Sequence, residues 1–265
     1  MNIRCNNFEM KYWLYTIFSV AVTFSITLAQ QTSQTKVVAH RGAWKNTKLP
    51  QNSMASLESA ITMGCHASEC DIWMTRDSVL VVNHDPDFYG LRIEDSSYDE
   101  LSVKQHPNGE RISTLEQFLR RIVTQRNTRI VLDIKPSTIS KERSLAVARR
   151  SLDMVLQMKA QDLTDYIFFD YDACLLLKKL EPQAHVAYLN GDKSPTQVAD
   201  DGLSCLDYNY RIFQKNESWL SDARERGLTL NVWTVNDEAL MTFFLKEKVD
   251  FITTDEPELL LRLVR

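Results

Sequence analysis

Glycine is scarce in this chain. Only 7 of the 265 residues are Gly, and no two of them lie closer than eleven positions. A loop that cradles a nucleotide's phosphates needs several glycines within a few positions, so the P-loop and dinucleotide-binding classes are excluded. Positive charge is not in excess either: 31 Lys+Arg against 35 Asp+Glu give a formal net charge of −4. Without a basic footprint, binding of nucleic acid through bulk charge is excluded and no nucleic-acid partner is expected. Neither G-x-S-x-G nor H-E-x-x-H occurs, which removes the serine hydrolases and zinc peptidases that carry those motifs. What remains is 44% hydrophobic and 25% charged, the composition of an ordinary globular domain.

One long apolar run is present, Tyr12 to Leu28, preceded by Arg4 and Lys11 and ending in Thr27-Leu28-Ala29 before Gln30. A charged start, an apolar centre and small residues at the end predict a secretory signal peptide over 1–29 and a domain over 30–265. The run is longer than usual for a signal, so an uncleaved membrane anchor is the competing reading. Cleavage after Ala29 takes 29 residues from 265 and leaves 236, with the net charge moving from −4 to −5 as Arg4, Lys11 and Glu9 depart. The expected location is periplasmic or secreted, with no stable membrane span after cleavage. The oligomeric state is not legible in the sequence.

Four cysteines remain after residue 29: Cys65, Cys70, Cys174 and Cys205. Cys65 and Cys70 stand roughly 16 Å apart at strand rise, too far for a disulfide. The four are read mainly as buried thiols, with a Cys174–Cys205 bridge left open.

Strand-like runs are predicted at 37–39, 69–75, 79–83, 130–134, 167–169, 186–189, 203–206, 228–233 and 251–253, with helical patterns between most of them. Ser53 or Asn52 caps a helix closed near Gly64, and Ser113-x-x-Glu116 reads as a capping box. Alternating strands and helices argue for a parallel sheet. Nine runs are one too many for an eight-stranded barrel, but no crossover fits between the second and third. These two must form an antiparallel hairpin. A two-residue turn at Asp77-Ser78 would pair Arg76 with Val79 and Asp71 with His84. The fold class is therefore α/β, a TIM (β/α)8 barrel with an antiparallel hairpin excursion after strand 2. Its active site is expected at the C-terminal ends of the strands.

Polar residues gather at those ends: His40-Arg41-Gly42, Glu69-x-Asp71, His84-Asp85, Asp133-x-Lys135 and Trp233. Two acids on one face of an otherwise apolar strand repel each other and call for a cation. Adding Asp133 makes three hard oxygen donors, suited to Ca²⁺ or Mg²⁺. His66, His106 and His185 fall away from this face and read as structural or exposed.

These motifs, in this order, resemble the glycerophosphodiester phosphodiesterases. The resemblance extends from Ala39-His40-Arg41-Gly42 through Pro50-Gln51-Asn52-Ser53, Thr75-Arg76-Asp77, Asp133-Ile134-Lys135 and Trp233-Thr234-Val235-Asn236 to Thr253-Thr254-Asp255-Glu256-Pro257. It implies a metal-dependent barrel enzyme that cleaves a small-molecule glycerophosphodiester to glycerol 3-phosphate and an alcohol. By resemblance, Glu69, Asp71 and Asp133 hold the metal, and His40 and His84 are the general acid/base pair. Arg41 and Lys135 grip the phosphate, and Trp233 packs near the glycerol. Attack by the glycerol 2-hydroxyl and direct attack by water both stay open.

Two positions depart from the family pattern. Gln51 stands where Glu is usual, which removes a charge but keeps hydrogen-bonding capacity. Asp133 stands where the third ligand is usually Glu and reaches about 1.5 Å less far. The acidic segment from Pro86 to Arg111 is expected to cover the barrel mouth as a lid. Two alternatives compete: a phospholipase D-like barrel enzyme acting on intact lipids, and a non-catalytic head-group-binding protein.

Overall fold

The apolar runs become strands and the amphipathic stretches helices in a computed structural model, which describes residues 35–265. The segment read as a signal peptide, 1–29, lies outside the described residues. In chain order the first elements are β1 (Lys36–Ala39), α1 (Met54–Met63), β2 (Ala67–Met74), β3 (Leu80–Val82), β4 (Asp87–Phe88) and β5 (Leu91–Arg92). Next come α2 (Tyr98–Ser102), β6 (Ser113–Thr114), α3 (Leu115–Ile122), β7 (Arg129–Ile134), α4 (Lys141–Gln157) and β8 (Thr164–Phe168). Then follow α5 (Tyr171–Leu180), β9 (Val186–Tyr188), α6 (Pro195–Asp200), β10 (Cys205–Asn209), α7 (Tyr210–Lys215) and α8 (Ser218–Glu225). The chain finishes with β11 (Thr229–Trp233), α9 (Glu238–Lys246), β12 (Phe251–Thr254) and α10 (Pro257–Leu263).

The sheet runs β1-β12-β11-β10-β9-β8-β7-β2 and closes through β1–β2. These eight strands are mutually parallel; β3 pairs antiparallel with β2, and β6 antiparallel with β3. The fold is a (β/α)8 barrel with a hairpin after its second strand, as the spacing of the runs predicts.

Local sequence explains several element ends. Ser53 caps α1 by accepting from the Ser56 N–H, and Gly64 ends it at φ 77°, a left-handed conformation that costs glycine little. The expected capping box at Ser113 is shifted by one. Ser113 is occupied in the β6 ladder opposite Val82, so Thr114 caps α3 with Gln117 as its partner.

The hairpin register also differs by one from expectation. Trp73 faces Val81 and Met74 faces Leu80, so Asp71 lies opposite Asn83, whose N–H donates to its carbonyl, and not opposite His84. The turn holds three residues, Arg76-Asp77-Ser78, with Ser78 at φ 68°. A two-residue primed turn of the Asn-Gly or Asp-Gly kind requires positive φ at both positions, and no glycine is present to supply it. One left-handed residue suffices in the longer turn.

Period-two alternation divides each barrel strand between two environments. On β2, Cys70 and Ile72 join the outer core beneath the helices, while Ala67 joins the barrel lumen. The lower lumen is apolar, built from Val38, Ala67, Val131, Ile167, Ala187 and Cys205. The next inward positions are His40, Glu69, Asp133, Phe169, Leu189, Asp207 and Trp233, which line the pocket above. The layer is polar at β1, β2, β7 and β10, through His40, Glu69, Asp133 and Asp207, and apolar at Phe169, Leu189 and Trp233. All four cysteines are buried and free, so the Cys174–Cys205 bridge is absent. Among the described residues no helix is long and apolar enough to cross a membrane.

The segment between Pro86 and Arg111 carries a small core of its own. Phe88, Ile93, Leu101 and Ile112 pack with Trp73 and Val81. Its acidic character is partly structural, because the buried Glu94 accepts from Ser137, Thr138 and Arg143. None of its residues lines the central pocket; Asp87, Phe88, Tyr89, His106 and Pro107 instead wall a groove beside it.

Candidate active site

The central pocket opens at the C-terminal ends of the strands. Its walls include His40, Arg41, Glu69, Asp71, His84, Asp133, Lys135 and Trp233, so the eight residues expected to act in catalysis, substrate binding or metal binding reach one cavity. His66 and His185 line a separate cavity lower in the barrel, and His106 lies under the neighbouring groove.

Glu69, Asp71 and Asp133 offer one oxygen each, all within 4.8 Å of one another. Parallel pairing of β2 with β7 sets Asp71 directly beside Asp133. That register brings the shorter Asp133 into the cluster despite its missing methylene. All three acids are buried. Lys135 Nζ lies 2.6 Å from Asp71 Oδ1 and also donates to Asp133 Oδ2. One ammonium cannot neutralise three carboxylates. Burial, then the neighbouring Asp71 and Asp133, push Glu69 well above its ordinary range. Burial likewise pushes Asp133 up to about 7. Asp71 is also driven upward by burial, but Lys135, Arg41 and His84 more than offset this and leave it below its ordinary value. Asp133 Oδ1 is buried without a hydrogen-bond partner. An orphaned buried carboxylate oxygen among crowded acids is the environment that a hard divalent cation relieves. The donor set fits such an ion.

The histidines approach from two sides. His40 Nδ1 is 2.7 Å from Asp255 Oδ1, and Asn236 Nδ2 donates to the other Asp255 oxygen at 2.7 Å. The His40–Asp255 bond leaves Nε2 as the ring nitrogen nearer the acids, 4.0 Å from Glu69 Oε2. Burial tends to raise Asp255, but its hydrogen bond and charge interaction with His40 outweigh this and hold it below the usual carboxylate range. His84 Nδ1 is 2.7 Å from Asp85 Oδ1, and burial lowers the His84 pKa.

Arg41 occupies a left-handed conformation at φ 58° and donates its backbone N–H to Glu69 at 2.8 Å. Its guanidinium donates to Gln51 Oε1 at 2.7 Å and lies 3.6 Å from Asp71 Oδ2. The departure at Gln51 thus keeps an acceptor for Arg41, as its amide permits. Trp233 donates its indole N–H to the Asp207 carbonyl at 2.9 Å and packs edge-on to Phe169.

Sequence reasoning assigned no role to four residues that the fold brings in. Asn52 clasps Asp71, donating to Oδ2 at 2.7 Å and accepting the Asp71 N–H at 3.1 Å. Asp255 and Asn236 brace His40. Asp207 is buried in the pocket floor with Oδ1 unpartnered, and burial pushes it up to about 7. Asn52 and Asp255 sit within motifs that were quoted. Asp207 carries no motif signal and is found only through the barrel's inward alternation.

Known proteins show the same chain organisation. The glycerophosphoryl diester phosphodiesterase family profile matches residues 40–259. A glycerophosphodiester phosphodiesterase structure from Parabacteroides distasonis is 44% identical, with a TM-score of 0.84 over 88% of this chain and 97% of that one. A glycerophosphodiester phosphodiesterase of Caldanaerobacter subterraneus is 25% identical over 248 residues, 88% of this chain and 98% of its own. An Oleispira antarctica phosphodiesterase, solved with its product sn-glycerol-3-phosphate, shares the fold at 23% identity and a TM-score of 0.74, covering 86% of this chain and 96% of that one. With a profile spanning most of the chain and a barrel relative at this identity, the chain belongs to the glycerophosphoryl diester phosphodiesterase family.

Proposed function

We propose that this protein hydrolyses glycerophosphodiesters to glycerol 3-phosphate and an alcohol. The observation that carries the reading is the convergence of three acids, two histidines, Arg41 and Lys135 on one pocket. A phosphodiester is an anionic, unreactive electrophile, so its cleavage needs positive charge at the oxygens and a proton relay.

Glu69, Asp71 and Asp133 would hold a divalent cation, Ca²⁺ or Mg²⁺, whose Lewis acidity neutralises charge on the phosphoryl oxygens. Arg41 and Lys135 supply fixed cations beside the same oxygens. Asp255 orients His40 through Nδ1, leaving Nε2 to take or give a proton. Burial lowers the His84 pKa, which favours the neutral ring that can accept a proton. Trp233 and Phe169 offer an apolar wall for the carbon face of glycerol.

Release of glycerol 3-phosphate from a panel of glycerophosphodiesters, run with Ca²⁺, Mg²⁺ and excess EDTA, tests this. Turnover that EDTA abolishes is expected; tight binding of the diesters without turnover in either metal would replace the reading with a head-group-binding protein.

We also propose that residues 1–29 are a cleaved signal and that the domain of 30–265 works in the periplasm or outside the cell. Mass spectrometry of the exported protein should find Gln30 at its N-terminus; an intact Met1 on membrane-bound protein would favour the anchor.

A further inference from the structure

A second cavity lies just past the phosphate-gripping residues. Its volume is about 410 Å³, against about 110 Å³ for the central pocket. Two hydrogen-bonded pairs form the partition. Arg41 and His84 face the central pocket, while their partners Gln51 and Asp85 line the groove. A diester held between Arg41 and Lys135 has two arms. The compact pocket beside Trp233 accommodates one of them, and the groove beyond His84 is the open space for the other.

The groove walls have a definite chemistry. Trp44 and Tyr89 contribute aromatic rings, with the buried Phe88 packed behind Tyr89, and Asp85 and Asp87 contribute carboxylates. Among the described residues that line it there is no Lys or Arg. Burial lowers the His106 pKa, so that ring is neutral at pH 7. Tyr89 packs edge-on with Phe88 and His106, yet the residue is left 50% exposed. A large aromatic standing in water two residues from the exposed Asp87 carboxylate is matched to a cation with an apolar shell. Ring faces attract ammonium groups through their quadrupole, most strongly when the cation is partly desolvated.

We propose that this groove receives the alcohol arm of the substrate and selects glycerophosphodiesters whose alcohol carries an ammonium group, either choline or ethanolamine. The proposal rests on the phosphodiesterase reading above. An uncharged alcohol gains neither the ring nor the carboxylate interaction, and an anionic one is repelled.

The test compares kcat/KM for glycerophosphocholine, glycerophosphoethanolamine and the uncharged glycerophosphoglycerol. The wild-type protein is run beside the double variant Asp87→Asn/Tyr89→Leu. Both positions are exposed, and Leu keeps bulk while removing the ring face. At least one cationic substrate should exceed glycerophosphoglycerol by about tenfold, and the double variant should bring that ratio close to one. Equal kcat/KM for all three substrates in the wild type overturns the proposal while leaving the phosphodiesterase reading intact. A cationic preference that persists unchanged in the double variant also overturns it. Absence of turnover on every substrate defeats the underlying reading instead.

Discussion

His40→Ala and His84→Ala should each lower kcat/KM by about 10²–10⁴-fold, the usual contribution of a positioned acid or base. The two sites are not equivalent in their support. His40 is braced by Asp255, itself pinned by Asn236 at 2.7 Å and held anionic by its contact with His40. His84 leans on Asp85, whose side chain is 69% exposed and so exerts a screened influence. Asp255→Asn should therefore cost more than Asp85→Asn. The Asp255 loss should fall on kcat with KM little changed, because Asp255 acts through His40. Steady-state kinetics on one diester, with circular dichroism to verify folding, decides the matter. Full activity in either histidine variant would sink the assigned acid/base pair.

The acid cluster should respond to substitution with opposite signs in two measurements. In metal-free protein, Asp133→Asn is expected to raise Tm, because it removes one of three crowded buried carboxylates. The same substitution should abolish the Tm increase that Ca²⁺ or Mg²⁺ gives the wild type, together with turnover. A change that stabilises the empty fold while removing function is the expected signature of a charge cluster kept for a ligand.

The pH dependence of metal binding follows from the same group. Asp133, raised to about 7, carries a proton in much of the metal-free protein below neutrality, and Glu69 lies well above its ordinary range. Binding must displace those protons, so affinity should rise as pH increases from 6 to 8, with proton release into buffer. Titration calorimetry in two buffers of different ionisation enthalpy measures both. Affinity that is independent of pH over this window would mean the carboxylates are already ionised without metal.

Much of this molecule was legible before folding. Short apolar runs separated by helical patterns specify alternating strands and helices, and the lack of space between the second and third runs leaves only a hairpin. Acids at 69 and 71 must share a face, because side chains alternate along a strand. The ordered motifs pointed to the family that the profile match then established. Other features depended on packing. The hairpin register shifted by one residue because the turn took the one left-handed position that Ser78 could supply. The cap of α3 moved to Thr114 because Ser113 was taken by a ladder. Asp207 and the bracing of His40 by Asp255, 215 positions away, appear only when the barrel closes.

Sequence by itself determined the strand and helix alternation and which residue types are available for chemistry, since both follow from local periodicity and side-chain identity. Tertiary structure alone decided which of those residues meet. The parallel register of β2 and β7 brings Asp133 beside Asp71, and barrel closure joins the first strand to the last. The chain past His84 folds over its own small core to open an aromatic, acidic groove. Distances between groups far apart in the chain are set by strand pairing and closure, and these long-range constraints leave no periodic trace in the local sequence.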